Sequence, residues 1–297
     1  MSNGKVAIVL RTKNRKVFLK RAILESIIPQ KFRDYNVYIV NDGGEVAYIN
    51  DLISTLPEEM ADRFVLVHLP FSLGRGGALA AGFSHTSEKY LHIHNDDDIL
   101  EPMFLEKTVA YLEEDKAEKF SGVKTSFYDV HERIINNEVI ERYRIDKNLF
   151  DRDNIENYIY VMSRISSIPP ISVLFRRSCL LRVGGVDAGK NYAEEIDLFT
   201  RMMQWGEIGI IKDLLCVCHH NEEENDNYSV RDRNKLIRDA LLTGNVEKIC
   251  QAELLQKRVI SIIQNNSLNS KILFLRKNID LVTENIKSVI NNNNIMG

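Results

Sequence analysis

The chain has 297 residues, 44% apolar and 27% charged, a globular composition with apolar mass for one large core or two smaller ones. Its 15 glycines and 6 prolines exclude a collagenous or linker-like chain, and a net charge of -3 gives no general attraction to nucleic acid. No apolar run approaches the ~18 residues that cross a bilayer. The short apolar stretch in MSNGKVAIVLRTKNR does not match the core of a signal peptide. Four cysteines (Cys179, Cys216, Cys218, Cys250) are too few for a disulfide framework in so long a chain, so the expectation is a reduced, cytoplasmic protein.

Val6-Ala7-Ile8-Val9-Leu10 is an unbroken apolar run, which predicts a strand covered on both faces. Phe18, Leu19, Ala22, Ile23, Ser26 and Ile27 then line one stripe of a helix that stops before Pro29. A second strand, Val37-Tyr38-Ile39-Val40, runs into Asn41-Asp42-Gly43-Gly44, and a helix over 45–55 leads to a third at Phe64–His68. The loop Ser72-Leu73-Gly74-Arg75-Gly76-Gly77 opens a helix through Phe83, and a fourth strand, Tyr90–His94, ends in Asn95-Asp96-Asp97-Asp98. Strands alternating with helices at this spacing predict a mainly parallel sheet between helices in an α/β domain. Ligands of such folds sit beyond the carboxyl ends of the strands, where Thr12–Arg15, Asn41–Gly44 and Asn95–Asp98 fall.

The run Asp96-Asp97-Asp98 carries the most chemistry. Three adjacent carboxylates repel one another and call for a cation. Mg2+ or Mn2+ suits oxygen ligands and would in turn hold a phosphate. A solvated turn in which Asp98 caps a helix starting near Ile99 is the plainer alternative. Arg75 and the glycines beside it let backbone amides and a positive charge approach an anion. Leu79 occupies the third glycine position of GxGxxG, which disfavours a dinucleotide site. The final element reads Ile208–Ile211 and then Leu214–His220, where Cys216 and Cys218 alternate along a strand and read as small buried hydrophobes. A zinc site there would need further ligands, with His219 and His220 the nearby candidates.

The series VAIVLRTKNR, VYIVNDGG, LGRGGALAAG, HIHNDDDIL, VLFRRSCLLRVGGVD and AEEIDLFTRMMQWG, over roughly 5–220, resembles the family 2 glycosyltransferases of the GT-A (nucleotide-diphospho-sugar transferase) fold. The resemblance implies transfer of a sugar, usually from a UDP-sugar, with inversion at the anomeric carbon. It sets Thr12 and Arg15 beside the nucleotide, Asp42 facing the uracil, and Arg75 near the uracil or diphosphate. Asp96 would touch ribose or sugar and Asp97 would hold the metal, while Asn95 stands where the family often has another Asp. In Glu194-Glu195-Ile196-Asp197 the family's Glu-Asp pair reads Glu-Glu, so Glu195 takes the position of the catalytic base. Its extra methylene changes the reach, and Asp197 and Glu194 stay as alternatives. The carboxylates of a helix N-terminus are the plainer reading of the same residues. A His after the last strand often completes the metal site, and His219 and His220, on opposite strand faces, are both candidates.

The expected organisation is a catalytic domain over 1–225, with a nucleotide-binding half (1–100) and an acceptor half (101–225), then a helical C-terminal extension over 226–297. The segment 124–172, with Tyr128, His131, Tyr143 and Arg144, would shape the acceptor pocket for a glycan or lipid-linked acceptor. Residues 230–297 hold 11 Lys/Arg against 6 Asp/Glu. Leu268, Ile272, Leu275, Ile279, Val282, Ile286 and Val289 keep a coiled-coil spacing. Three uses compete for that tail: packing on the catalytic domain, forming a homodimer, or lying peripherally on an anionic membrane. Two rival functions remain, a sugar-1-phosphate nucleotidyltransferase and a non-catalytic glycan- or nucleotide-binding relative. The first would want a glycine-rich loop after the first strand, which Arg11–Arg15 lacks. By analogy with the family, the pathway is polysaccharide or glycolipid synthesis.

Overall fold

The computed structural model describes residues 4–135, 138–147, 155–156, 168–190 and 194–221. The expectations for the C-terminal extension, and Cys250, lie outside the described residues. Strands β1 (Val6–Thr12), β2 (Tyr35–Asp42), β3 (Phe64–Leu69) and β4 (Tyr90–Asn95) are parallel, in the order β3-β2-β1-β4. The sheet continues through the antiparallel β8 (Val173–Arg176) to β6 (Phe120–Ile135), β9 (Glu207–Asn221) and the two-residue β5 (Ile99–Leu100), while β7 (Glu138–Lys147) pairs with β6. β6 and β9 run parallel to each other along most of their lengths.

Alternation along the strands feeds two apolar layers. Val6, Ile8 and Leu10 face α1 (Lys16–Arg21, widening to π geometry over Ala22–Ile27), α2 (Ala47–Ser54) and α5 (Phe104–Glu114), while α3 (Glu58–Ala61) is a single turn before β3. Ala7 and Val9 face α4 (Gly74–Ser84), α6 (Arg177–Arg182) and α7 (Glu194–Met202). β1 is therefore buried on both faces, as its unbroken apolar run predicts. Gly82 lets α4 lie against the sheet: a Cβ there would fall 2.5 Å from Val9 and 2.8 Å from Val40 side-chain carbons.

Three details differ from the sequence reading. The glycine-rich stretch is the first turn of α4 itself and not a loop before it. Ile99–Leu100 form a strand against Val217 and Cys216 of β9, and the next helix waits until Phe104. The last element is one strand from Glu207 to Asn221, because shifts in its register with β6 absorb Lys212 and Asp213 without a break. Among the described residues no helix is long and apolar enough to cross a membrane.

Candidate active site

Strand register sets the site. Thr12 pairs with Asn41 and Arg11 with Asn95, so β1, β2 and β4 end at one level. Each strand delivers its polar residues to that shared edge.

Arg15, just past β1, reaches across to the acidic run. Its guanidinium donates to Asp96 and, at 3.0 Å, to Asp97, while the Thr12 hydroxyl donates to Asp96 at 2.7 Å. The three carboxylates then diverge. Burial pushes Asp96 up to about 7 against the pull of Arg15, with the Asp97 charge adding to the rise. Burial also opposes ionisation of Asp97, but Arg15 outweighs it and keeps that carboxyl below its usual value. Asp98 is raised to about 8 by burial and by the Asp97 charge. Its Oδ1 accepts the His219 backbone N–H at 2.8 Å, which ties β9 to the end of β4. Asp98 thus secures a strand where the turn reading has it capping a helix.

A second group assembles around Arg11, a residue the sequence reading did not single out. Arg11 ends the apolar run of β1 and is 8% exposed. One of its nitrogens donates to Glu194 at 2.8 Å; the other donates to Glu195 and, at 2.6 Å, to Asn95. Arg75, in the first turn of α4, donates to Glu194 at 2.8 Å and Glu195 at 3.2 Å from the solvent side. Burial works to raise Glu195, but Arg11 and then Arg75 prevail and hold it at about 2. One Glu194 oxygen, Oε2, is buried without a hydrogen-bond partner. The other candidate on α7, Asp197, leaves this cluster: it pairs with Lys190 and with Arg201, one turn along the helix.

Asp42 turns inward. It accepts the Ser72 hydroxyl and the Leu73 N–H, both at 2.6 Å, and the Gly74 N–H at 3.1 Å, so it caps α4 from a neighbouring strand. Gly43 beside it takes a φ of +74°, and a Cβ there would fall 2.6 Å from the Ser72 nitrogen.

The two histidines point to opposite faces of β9. His219 lies 3.7 Å from Glu132, which Arg21 engages through both guanidinium nitrogens. Burial and the Arg21 charge lower His219 to about 3, leaving a neutral imidazole, and its Nδ1 is buried without a partner. His220 sits beside Asp129, which together with the Asp98 and Asp97 charges raises it. A charged Asp97 within electrostatic reach of a neutral His219 with a spare nitrogen is a donor set that fits a hard divalent cation.

A family model described as glycosyl transferase family 2 matches residues 7–167, more than half of the chain. The chain belongs to that family. Solved structures share its fold, GT-A. One is S. aureus TarS 1–349 in complex with UDP-GlcNAc, 12% identical with a TM-score of 0.57, covering 76% of this chain and 61% of that one. Another is the mannosyltransferase PcManGT from Pyrobaculum calidifontis in complex with GDP-Man and Mn2+, 16% identical with a TM-score of 0.58, covering 80% of this chain and 66% of that one. This family 2 chain thus spans under two thirds of the length of either structure. No match is found among the curated proteins.

Proposed function

We propose that the chain is an inverting glycosyltransferase that moves a sugar from a nucleoside diphosphate sugar, a UDP-sugar, to a hydroxyl of a glycan or lipid-linked acceptor. The observation that carries this reading is the bridge made by Arg11. It joins Asn95, at the head of the acidic run, to Glu195, so that the candidate metal-side and base-side carboxylates border one edge of the sheet. Family membership and the fold support the reaction class, and the nucleotide sugars in the two related structures support the donor class.

Thr12, Arg15 and Asp96 border the nucleotide, and Asp42 fixes the turn that starts α4 beside it. Asp97, with His219, would hold a divalent ion, Mn2+ or Mg2+, which when bound would neutralise charge on the diphosphate. Glu195 takes the proton of the attacking hydroxyl, and displacement needs no covalent intermediate on the protein. A carboxylate held near 2 is a weak base, so Arg75 has a second duty. Its side chain is 57% exposed, and an arriving diphosphate competes with the two glutamates for it. Losing that partner relieves part of the depression of Glu195 as the donor seats, while Arg11 stays beside it, which couples base strength to donor binding. Asp197 is the weaker candidate for the base, since Lys190 and Arg201 hold it on another face of α7.

Thermal unfolding with UDP, dTDP, GDP or CDP, with and without Mn2+, tests the donor. A ligand at 100 times its Kd adds about 2.7 kcal/mol, roughly 5–11 °C in a domain of this size. A UDP shift that needs Mn2+ and disappears in Asp97→Asn supports the proposal. A shift with another base reassigns the donor, and no shift with any nucleotide counts against a donor site here.

A further inference from the structure

Beyond the donor site, β6 and β9 set Asp129 opposite Cys218 and His131 opposite His220. Because side chains alternate along β9, Cys218 and His220 share the face opposite His219. A carboxylate oxygen of Asp129, Cys218 Sγ and His220 Nε2 all lie within 4.8 Å of one another. His220 Nε2 is 2.6 Å from Asp129 Oδ1 and 4.0 Å from Cys218 Sγ. Apart from this close approach to His220, that buried Asp129 oxygen has no hydrogen-bond partner. The other Asp129 oxygen lies 3.6 Å from Lys147 Nζ. The His131 ring, stacked on Tyr143, walls the cluster at 4.9 Å from the His220 ring.

We propose that Asp129, Cys218 and His220 form a binding site for a transition-metal cation of the zinc class, with a ligand set different from that of Asp97 and His219 on the other face of β9. One sulfur, one imidazole nitrogen and one carboxylate oxygen are the donors such ions take, and the thiolate selects against Mg2+ and Mn2+. Bond lengths of ~2.3 Å to sulfur and ~2.0–2.1 Å to nitrogen put the two donors about 3.6 Å apart in a tetrahedron. The present 4.0 Å closes to that by a small side-chain rotation, and the histidine and carboxylate move apart by less than an ångström. Binding displaces the Cys218 thiol proton to solvent and leaves a fourth position for water. His220, 44% exposed, gives the ion a way in. The sequence already pairs the CxC with neighbouring histidines; the ligand it could not supply is Asp129, far away in the chain.

The test is Co2+ titration of the chelator-treated full-length chain in excess Mg2+, followed by absorbance. One equivalent should give a thiolate-to-cobalt charge-transfer band in the near ultraviolet with tetrahedral d–d bands, both erased by Zn2+. Cys218→Ser should remove the charge-transfer band and Cys179→Ser should retain it. His220→Gln should weaken Co2+ binding at least tenfold. Absence of the band, or its persistence in Cys218→Ser, would overturn the proposal. The Mn2+-dependent nucleotide shift is read separately in Cys218→Ser, so failure of the donor site and failure of this site are distinguishable.

Discussion

Replacing Arg11 by methionine removes the one guanidinium that holds Glu194, Glu195 and Asn95 together from inside the sheet. Glu194 is fully buried, so its charge loses its interior partner without gaining water. Breaking such a pair costs about 3–5 kcal/mol, which at ~2–4 °C per kcal/mol lowers the melting temperature by roughly 6–20 °C. Arg75→Met is the control. Its side chain is 57% exposed, so its pairs with the same two carboxylates are worth at most about 1 kcal/mol. The pH dependence separates charge from packing. Glu195 is depressed from 4.5 to about 2 in the folded state, so its stabilisation is whole above pH 4.5 and is lost as pH falls through 2. Urea unfolding should therefore show a deficit in Arg11→Met that shrinks by about a third between pH 7 and pH 3.5. Equal losses in the two variants, or a deficit as large at pH 3.5 as at pH 7, would refute the reasoning.

The acidic run gives a dependence of opposite sign. Asp98 is raised from 3.8 to about 8, so its contribution to stability is whole below pH 3.8 and is lost as pH rises through 8. In chelator, urea unfolding of the parent should weaken between pH 5 and pH 8. Asp98→Asn keeps an oxygen for the His219 N–H and should weaken less, by at least about 1.4 kcal/mol at pH 8. Gly76→Ala puts a Cβ 2.2 Å from the Lys190 carbonyl oxygen and 2.6 Å from that of Asp187, and backbone must move. A stability loss of roughly 1–3 kcal/mol in thermal unfolding is expected. Asp42→Ala deprives α4 of a cap that accepts three hydrogen bonds and should cost about 1–2 kcal/mol by the same measurement.

The parallel half of the fold was legible because its strands are short, mainly apolar runs and three of them, β1, β2 and β4, end in polar clusters, where such sheets bind. Asp96, Asp97 and Thr12 do meet there, bridged by Arg15. Arg11 escaped notice because a charge at the end of an apolar strand has no local signature. Its partner Glu194 lies 183 residues away, and only the fold brings them together. The contact of Asp42 with the start of α4 has no local signature, since its partners Ser72, Leu73 and Gly74 lie about 30 residues on in the chain. Asp98 and Ile99 looked like a helix start, and tertiary pairing with β9 overrode that local preference. The pairing of β6 with β7 had no clear sequence signal, because Val139-Ile140 and Glu141-Arg142 break the apolar–polar alternation of an exposed strand.

Under the proposed function, Glu195 is the base at a donor site built on Asp97. The most direct measurement is single-turnover sugar transfer by Glu195→Gln, using the nucleotide sugar chosen by the thermal-shift screen. Nucleotide binding should be retained while the chemical step slows by about 10²–10⁴-fold, the usual worth of a general base. Transfer at the parent rate with full donor binding would contradict it and move the base to another residue.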